Sequence, residues 1–380
     1  MRRWMLLAIL AAAALPAQAA ERATVAELQQ FLTARHAGHK KDGSIADHLG
    51  EMELSEQLTG PTLDRMMADL KPGKKTALAL QLLADRSAFL DPPAGEISNK
   101  ATPEMAEQVR LFQGAVNFAS VTFARLPDFL ATRTTHTFDN SSLAMTTDAS
   151  RVGFAAHGPL HEDGEYSQQI TFRSGAEVSV DAQAQDQREK PGEPRHGLKS
   201  NGEFGPLLVS VLNDSAKGQI VWSRWEQTRA GLAAVFRYQV PREASHYTVD
   251  YCCVISGPPP AAGAGKQNTD GANSPRIYHT VPGYHGYFYL DSETGIVLRM
   301  TLEAEMHSNE AMTRLGVWVE YGTVQIDEKS YHCPVRSVAL TVLHARREGE
   351  QGVMRLNEVT FTNYHRFGST ARILAAPPEP

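Results

Sequence analysis

A change of hydrophobic period at Pro127 constrains the fold more than any other feature of the sequence. Before this residue the apolar side chains recur at helical spacing; after it they alternate with polar ones, as in strands with one buried face. The segment from His285 to Met306 shows the alternation on both sides of a turn at residues 291–295. An alternating strand must cover its apolar face, so we expect this sheet to pack against helices or to hold an apolar ligand.

Capping and helix-breaking residues divide the first part of the chain into helices. Thr24 and Glu27 form a capping-box pattern, and a proline that follows Gly60 is typical of a first helical turn. Asn201–Ser215 predicts a short helix inserted among the strands. The other predicted helices begin near Thr24, Gly60, Lys74 and Thr102, and the last of these ends before Pro127.

Short turns with glycine connect the predicted strands, which favours antiparallel pairing because parallel strands need a crossover of about a dozen residues. Residues 256–275 are rich in Gly, Pro, Ala and Asn and predict a flexible surface loop. The predicted strands are residues 129–138, 168–173, 176–182, 219–227, 232–240, 247–254, 285–290, 296–306, 314–321, 335–345 and 354–367.

The first twenty residues, MRRWMLLAILAAAALPAQAA, have the pattern of a secretory signal peptide. Two arginines precede a short apolar run, and Ala17-Gln18-Ala19 predicts cleavage near Ala19 or Ala20. We therefore expect an exported protein, periplasmic or secreted. No later stretch approaches the roughly 20 apolar residues of a spanning helix, so no transmembrane segment is predicted. The net charge of −6 and the lack of long basic clusters argue against nucleic acid as a partner.

Three cysteines, Cys252, Cys253 and Cys333, occur in a chain expected to enter an oxidising compartment. Adjacent strand residues point to opposite faces, so the natural disulfide joins Cys333 with either Cys252 or Cys253. The alternative is three reduced, half-buried cysteines.

Catalytic and metal-binding motifs are missing from the sequence, so we predict no enzyme, no metal site and no cofactor. His36 and His39, with Asp42 and His48 nearby, have ligand spacing, but Lys40 and its neighbour favour a solvated helix end. Dispersed strand histidines near the cysteines are read as ordinary sheet residues: His246, His279, His285 and His332. Behind the two functions considered below, a glycan-acting enzyme is a third alternative, because several aromatic residues of the strands could stack on sugars. These are Trp222, Trp225, Phe236, Tyr238, Tyr247, Tyr287 and Tyr289.

The order of elements resembles the half-barrel of periplasmic lipoprotein-carrier and lipoprotein-sorting proteins. A long helix and a proline break lead into LPDFLATRTTHTFD, and the hairpin with Asp291, Thr294 and Gly295 matches their strand-turn-strand pattern. A later segment, VEYGTVQIDEKSYHCPVRS, is similar to another of their hairpins. The resemblance covers roughly residues 103–374, and the whole chain also resembles secreted bacterial proteins of unassigned function.

The resemblance implies an α+β fold in which an N-terminal helical region precedes a long antiparallel meander, a half-barrel with helices on or in its concave face. We expect residues 1–20 to be the signal peptide, 21–100 a helical accessory region and 101–375 the helix plus half-barrel. The implied function is non-catalytic binding of a lipid, an acyl chain or a lipoprotein. The candidate ligand residues are Phe288, Leu290, Leu298, Met300 and Leu302. The alternative is a structural or interaction module with a filled core whose surface binds an envelope protein.

Overall fold

The fold combines helices with one large antiparallel sheet, so the expected α+β class is confirmed. A computed structural model describes residues 22–122, 125–145, 152–173, 176–179, 197–198, 205–255, 275–307, 310–344 and 352–366. The predicted signal peptide and residues 256–274 of the predicted loop lie outside these ranges; Pro275 begins a strand.

Six α-helices form in the described residues. Thr24 caps the first of them: its hydroxyl accepts from the Glu27 N–H at 3.2 Å, and the Glu27 carboxylate accepts from the Thr24 N–H at 2.8 Å, as the capping box predicted. The second helix was not predicted. The helices are α1 (Val25–Ala37), α2 (Asp42–Glu51), α3 (Gly60–Leu70), α4 (Lys74–Ser87), α5 (Met105–Asn117) and α6 (Pro206–Ser215).

Most strands agree with the alternating pattern, but β2 is much longer than predicted, and β4 and β8 were not predicted. The strands are β1 (Phe129–Met145), β2 (Val152–Arg173), β3 (Ala176–Ser179), β4 (Gly197–Leu198), β5 (Gln219–Thr228), β6 (Gly231–Val240), β7 (Val249–Ile255), β8 (Pro275–Thr280), β9 (Tyr284–Asp291), β10 (Val297–Ala304), β11 (Met312–Ile326), β12 (Lys329–Leu343) and β13 (Met354–Arg366).

Ten strands form an open, half-barrel-like sheet in the order β3-β2-β1-β13-β12-β11-β10-β9-β6-β5. All of its pairings are antiparallel, and β9 to β13 make the predicted meander. The strands β4, β7 and β8 form a separate small sheet. Because the large sheet does not close, β3 and β5 are its two edges.

Helices cover both faces of the large sheet. On one side, here called the α5 face, α5 and α6 contribute Leu111, Ala115, Leu208 and Val211 to a core with the strands. Of the two covers considered from the sequence, helices or an apolar ligand, the structure therefore shows helices on this face. On the other side, here called the α4 face, one cluster joins Leu82 and Ala88 of the α4 region to the strands, and a second cluster consists of strand residues. Their members are Leu82, Ala88, Phe138, Trp318, Val338, Leu340 and Leu356, and Ala233, Val235, Tyr289 and Leu298.

Two glycines allow α5 to lie directly on the β9–β10 turn. A Cβ on Gly114 would be 2.4 Å from the Thr294 carbonyl oxygen, and one on Gly295 would be 2.3 Å from the Leu111 carbonyl oxygen. Gly295 also has a φ of 74°, which a side chain makes unfavourable. Arg110 adds a 2.7 Å hydrogen bond to the Glu293 carbonyl. The turn therefore fixes the position of α5 over the sheet.

We predict that Gly114→Ala destabilises the protein although alanine is the better helix former by about 1 kcal/mol. The new methyl group collides with backbone, which has little room to move, and overpacking of this kind costs about 1–3 kcal/mol. Urea denaturation measures the change. Gly95→Ala is the control, because a Cβ at Gly95 meets nothing within 4 Å. Equal or higher stability of Gly114→Ala would contradict this account of how α5 is positioned.

Candidate functional site

Four of the five predicted ligand residues lie in a filled core beneath α5. Phe288, Leu290, Met300 and Leu302 are all 0% exposed. The ring of Phe112 on α5 packs edge-on against the Phe288 ring, with a centroid distance of 6.0 Å. In this structure these four side chains belong to one buried cluster with Leu111 and Ala115 of α5, which is what the filled-core alternative requires.

Leu298 lies on the opposite face of the sheet from Met300 and Leu302, contrary to the even spacing of these residues. The pairing of β10 with β9 shifts between Val297 and Arg299, which marks a β-bulge. A bulge adds one residue to a strand and reverses the alternation of side chains beyond it. Leu298 therefore packs with Val235 and Tyr289 on the α4 face. It lines a cavity of about 190 Å³ between the sheet and the start of α3.

Three arginines join the α4 face to the helical region. Arg224 on β5 donates to Glu226 at 2.8 Å and to Asp91 at 3.2 Å. On β12, Arg336 donates to Asp85 of α4 at 2.7 Å. The third, Arg299 on β10, donates to the Ala88 carbonyl at 3.1 Å and also stacks over the Trp318 ring at 4.9 Å. These polar contacts form a layer that connects the helical region to the strands, beside the apolar packing of Leu82 and Ala88.

Burial controls the electrostatics of this layer. Glu226 and Asp85 are 2% and 1% exposed. Loss of water around each carboxylate raises its pKa, although the paired arginine acts in the opposite direction. Removing either arginine would leave a buried carboxylate unpaired, which is strongly unfavourable.

The arrangement of two carboxylates in this layer does not resemble a glycosidase cleft. Asp91 and Glu226 accept from the same Arg224 guanidinium, which occupies the space where a sugar would have to lie. The strand aromatics named above are divided between the two faces. Trp222, Trp225, Phe236 and Tyr238 belong to the α5 face, and Tyr287 and Tyr289 pack on the α4 face.

An apolar surface remains where α5 reaches the β5 edge of the sheet. Met105 and Val109, one turn apart on α5, are 71% and 59% exposed. One turn further on, Phe112 packs on Phe236 at 6.0 Å, and Trp222 of β5 packs on the same ring at 5.4 Å. Ile220 of β5 shares the Trp222 side of the strand and is also half-buried. We call Met105, Val109, Phe112, Ile220 and Trp222 the α5 edge patch.

The strand beside this patch has a partly free edge. Ser98 donates to the Trp225 carbonyl at 3.1 Å, and Ile97 bridges Glu226, so one half of β5 is covered. Among the described residues, nothing pairs with the backbone of residues 219–223 on the side away from β6. As far as the structure describes the chain, the α5 edge patch therefore adjoins strand backbone without a partner, to which a further chain could pair.

The three cysteines lie on two different sheets. Cys333 is a free, buried thiol on β12 of the large sheet, whereas Cys252 and Cys253 belong to β7 of the small one. The predicted disulfide of Cys333 with Cys252 or Cys253 is therefore absent from this structure. Burial raises the pKa of the Cys333 thiol to about 12, so it is unreactive near neutral pH.

The first histidine group considered from the sequence stays together, because His36, His39 and Asp42 line one cavity of about 340 Å³. The Asp42 carboxylate accepts from the backbone of Lys75 and Thr76 at the start of α4, both at 3.0 Å. His48 stacks on Phe31 at 4.5 Å. His246, which lies between β6 and β7, contacts Asp214. His279 of β8 contacts Asp250, and His332 of β12 contacts the Val297 carbonyl.

The helical spacing of apolar residues in α5 does not distinguish the exposed residues of the α5 edge patch from the buried ones. Val109, Phe112 and Val116 have the spacing of one apolar stripe on a helix, but the structure turns Val109 outward and buries Leu111 and Ala115 instead. The α4 layer had no comparable signal, because residues more than 130 positions apart form it, as the contact of Asp91 with Arg224 shows.

Comparisons with known proteins add little to this geometry. No family model matches the sequence, and no curated protein matches it. A search of solved structures finds the crystal structure of a LolA superfamily protein from Nitrosomonas europaea, with 6% identity, 68% of this chain and 93% of that chain covered, and a TM-score of 0.25. In the described residues, no helix is both long and apolar enough to cross a membrane.

We predict that Met300→Glu unfolds or severely destabilises the protein. The side chain is 0% exposed in a core filled by α5, so the new carboxylate would be buried without a partner. The cost should reach about 4 kcal/mol or more, a large part of a typical folding free energy. Circular dichroism with thermal unfolding measures it, and Leu78→Glu at an exposed leucine is the matched control. A folded Met300→Glu protein of unchanged stability would show that the space under α5 is open.

The turn beneath α5 generates a pH-dependent prediction. The Asp291 carboxylate accepts from the Thr294 hydroxyl at 2.6 Å and from its N–H at 2.8 Å. Partial burial raises the pKa of Asp291, but these hydrogen bonds outweigh it and leave the pKa below its ordinary value. Its stabilising effect is therefore complete above the unfolded pKa of about 3.9 and is lost as the pH falls through the lower folded value.

Accordingly, Asp291→Ala should destabilise the protein by about 1 kcal/mol at pH 7. The difference from wild type should shrink as the pH falls below about 4, because acid protonates the wild-type carboxylate. Urea denaturation at a series of pH values tests this. A difference that stays constant down to the lowest accessible pH would mean that the ionised carboxylate makes no contribution.

Proposed function

We propose that this is an exported, non-catalytic protein that binds an apolar chain at the α5 edge patch, and that this chain is the acyl part of a lipid or of a lipoprotein. The observation that supports the proposal is the exposure of Met105 and Val109 beside half-buried Phe112 and Trp222. Exposed apolar groups that adjoin one another are costly in water and are typical of binding surfaces. The ligand lies outside the core, because the candidate positions under α5 are occupied.

The geometry of the patch suits a flexible hydrocarbon. Aliphatic side chains of α5 form one wall, and the Trp222 ring on the sheet forms the base. A cation adjoins the area: the Lys100 ammonium lies 3.8 Å from the centre of the Trp225 ring. A positive charge at the end of an apolar surface would favour a ligand with an acidic or phosphorylated head.

Val109→Glu tests the proposal with little risk to the fold, because the side chain is already 59% exposed. We expect wild-type protein to bind a fluorescent fatty-acid probe and Val109→Glu to bind it at least about tenfold more weakly, or about 1.4 kcal/mol. Leu78→Glu on α4 is the matched control and should bind like wild type. Thermal unfolding should be similar for all three. Equal binding by the two variants, or none by wild type, would refute the proposal.

A second candidate is the interaction module with a filled core, in which an envelope protein covers the same patch. The unpaired half of β5 favours it, since a partner's extended segment could add to that edge. A photo-crosslinking amino acid placed at residue 109 in cells separates the candidates by the mass of the adduct. A lipid-sized adduct supports the first proposal and a protein-sized one the second; the same label at residue 78 controls for random capture.

A further inference from the structure

A histidine and two glutamates converge on the β1–β2 hairpin, far along the sheet from the α5 edge patch. His136 of β1 lies opposite Glu165 of β2 in the strand register, so the two side chains share a face. Phe138, two residues further along β1, pairs with Glu162. The four side chains therefore lie together on the α4 face.

A β-bulge on β2 makes this convergence possible. Glu162 and Glu165 are three positions apart, so a regular strand would point them to opposite faces. The register shifts between Thr137 and Phe138, which leaves Asp163 as the extra residue and returns Glu162 to the face of Glu165. The Thr137 hydroxyl donates to the Gly164 carbonyl at 3.0 Å and holds the bulge in place.

The distances suit a single small cation. His136 Nδ1 is 3.1 Å from Glu162 Oε1 and 3.9 Å from Glu165 Oε2, and one ligand atom from each residue lies within 4.8 Å of the others. Ligands about 2.0–2.2 Å from a tetrahedral zinc ion are separated by about 3.4 Å. The two glutamates need only small rotations to reach that spacing.

Charge and orientation also favour a cation. Two carboxylates lie beside one imidazole, and in the described part of the chain no lysine or arginine forms an ion pair with either glutamate. The Phe138 ring stacks on the His136 ring with an interplanar angle of 21° and a centroid distance of 6.4 Å, which restrains the imidazole. The side chains of His136, Glu162 and Glu165 are 31%, 46% and 57% exposed, so an ion can enter from solvent.

We propose that His136, Glu162 and Glu165 bind one divalent transition-metal ion, for which Zn²⁺ is the best match. An imidazole with two carboxylates is a ligand set that zinc accepts, with water completing the coordination. Calcium prefers more ligands, all of them oxygens, and magnesium retains its water shell, so both should bind poorly. The bound ion would link β1 to β2 and stabilise the hairpin. This proposal is independent of the α5 edge patch.

Isothermal titration of chelator-treated protein with Zn²⁺ tests the site. Wild type should bind one equivalent that His136→Ala lacks. Loss of a residue that only hydrogen-bonds to a metal ligand lowers metal affinity about 10- to 100-fold. Glu165→Gln removes a ligand itself, so it should lower the Zn²⁺ affinity at least about tenfold. Zn²⁺ should raise the melting temperature of wild type but not of His136→Ala, and excess Ca²⁺ should not displace it.

Two control variants separate the site from the background of exposed histidines. The first control, His161→Ala, removes a histidine that is next to Glu162 in the sequence but whose Nε2 lies 3.3 Å from Asp139 Oδ1. The second, His279→Ala, removes a histidine that is paired with Asp250 alone and so offers only two ligands. Both should bind Zn²⁺ like wild type. The proposal fails if His136→Ala and wild type give the same isotherm, or if every histidine variant loses binding to the same degree. Glu165→Gln keeps the test valid should His136→Ala fail to fold.

Discussion

The rest of the structure depends on the packing of α5 against the ten-stranded sheet. A large open sheet with alternating strands leaves an apolar face that water does not tolerate, and α5 and α6 supply the cover. The close approach at Gly114 and Gly295 sets the depth of this contact, and the Phe112 ring completes it over the strands. Because the helix fills this space, the ligand site that we propose lies at the margin of the core.

The opposite face is covered in a different way. There the helical region contacts the strands through Arg224, Arg299 and Arg336 as well as through apolar clusters. Buried ion pairs add less to stability than apolar packing does, but they demand exact geometry and so define one orientation of the partners. The helical region before residue 100 is therefore a second layer of the fold, and it buries the part of the α4 face around Trp318, Val338 and Leu340.

Elements that depend on contacts between residues close in the sequence were predicted, and those that depend on distant residues were not. Helix starts at Thr24 and Gly60 and the hairpin at Asp291 rest on contacts within a few residues, and they formed where expected. The strand bulges escaped prediction because a bulge depends on the register with a neighbouring strand. One bulge moved Leu298 away from Met300, and another brought Glu162 to the face of Glu165. The state of Cys333, a free thiol in this structure, was likewise left open by the sequence, because cysteine pairing depends on contacts between distant strands.

The sequence by itself determined the secondary-structure class, the antiparallel arrangement and the need to cover an apolar face. Those properties follow from hydrophobic period and turn chemistry, which act locally. Only the tertiary structure decided what covers each face, which residues stay exposed on α5 and which polar side chains meet on the β1–β2 hairpin. Such choices depend on contacts between residues distant in the chain, whose free energy appears only when the elements pack together.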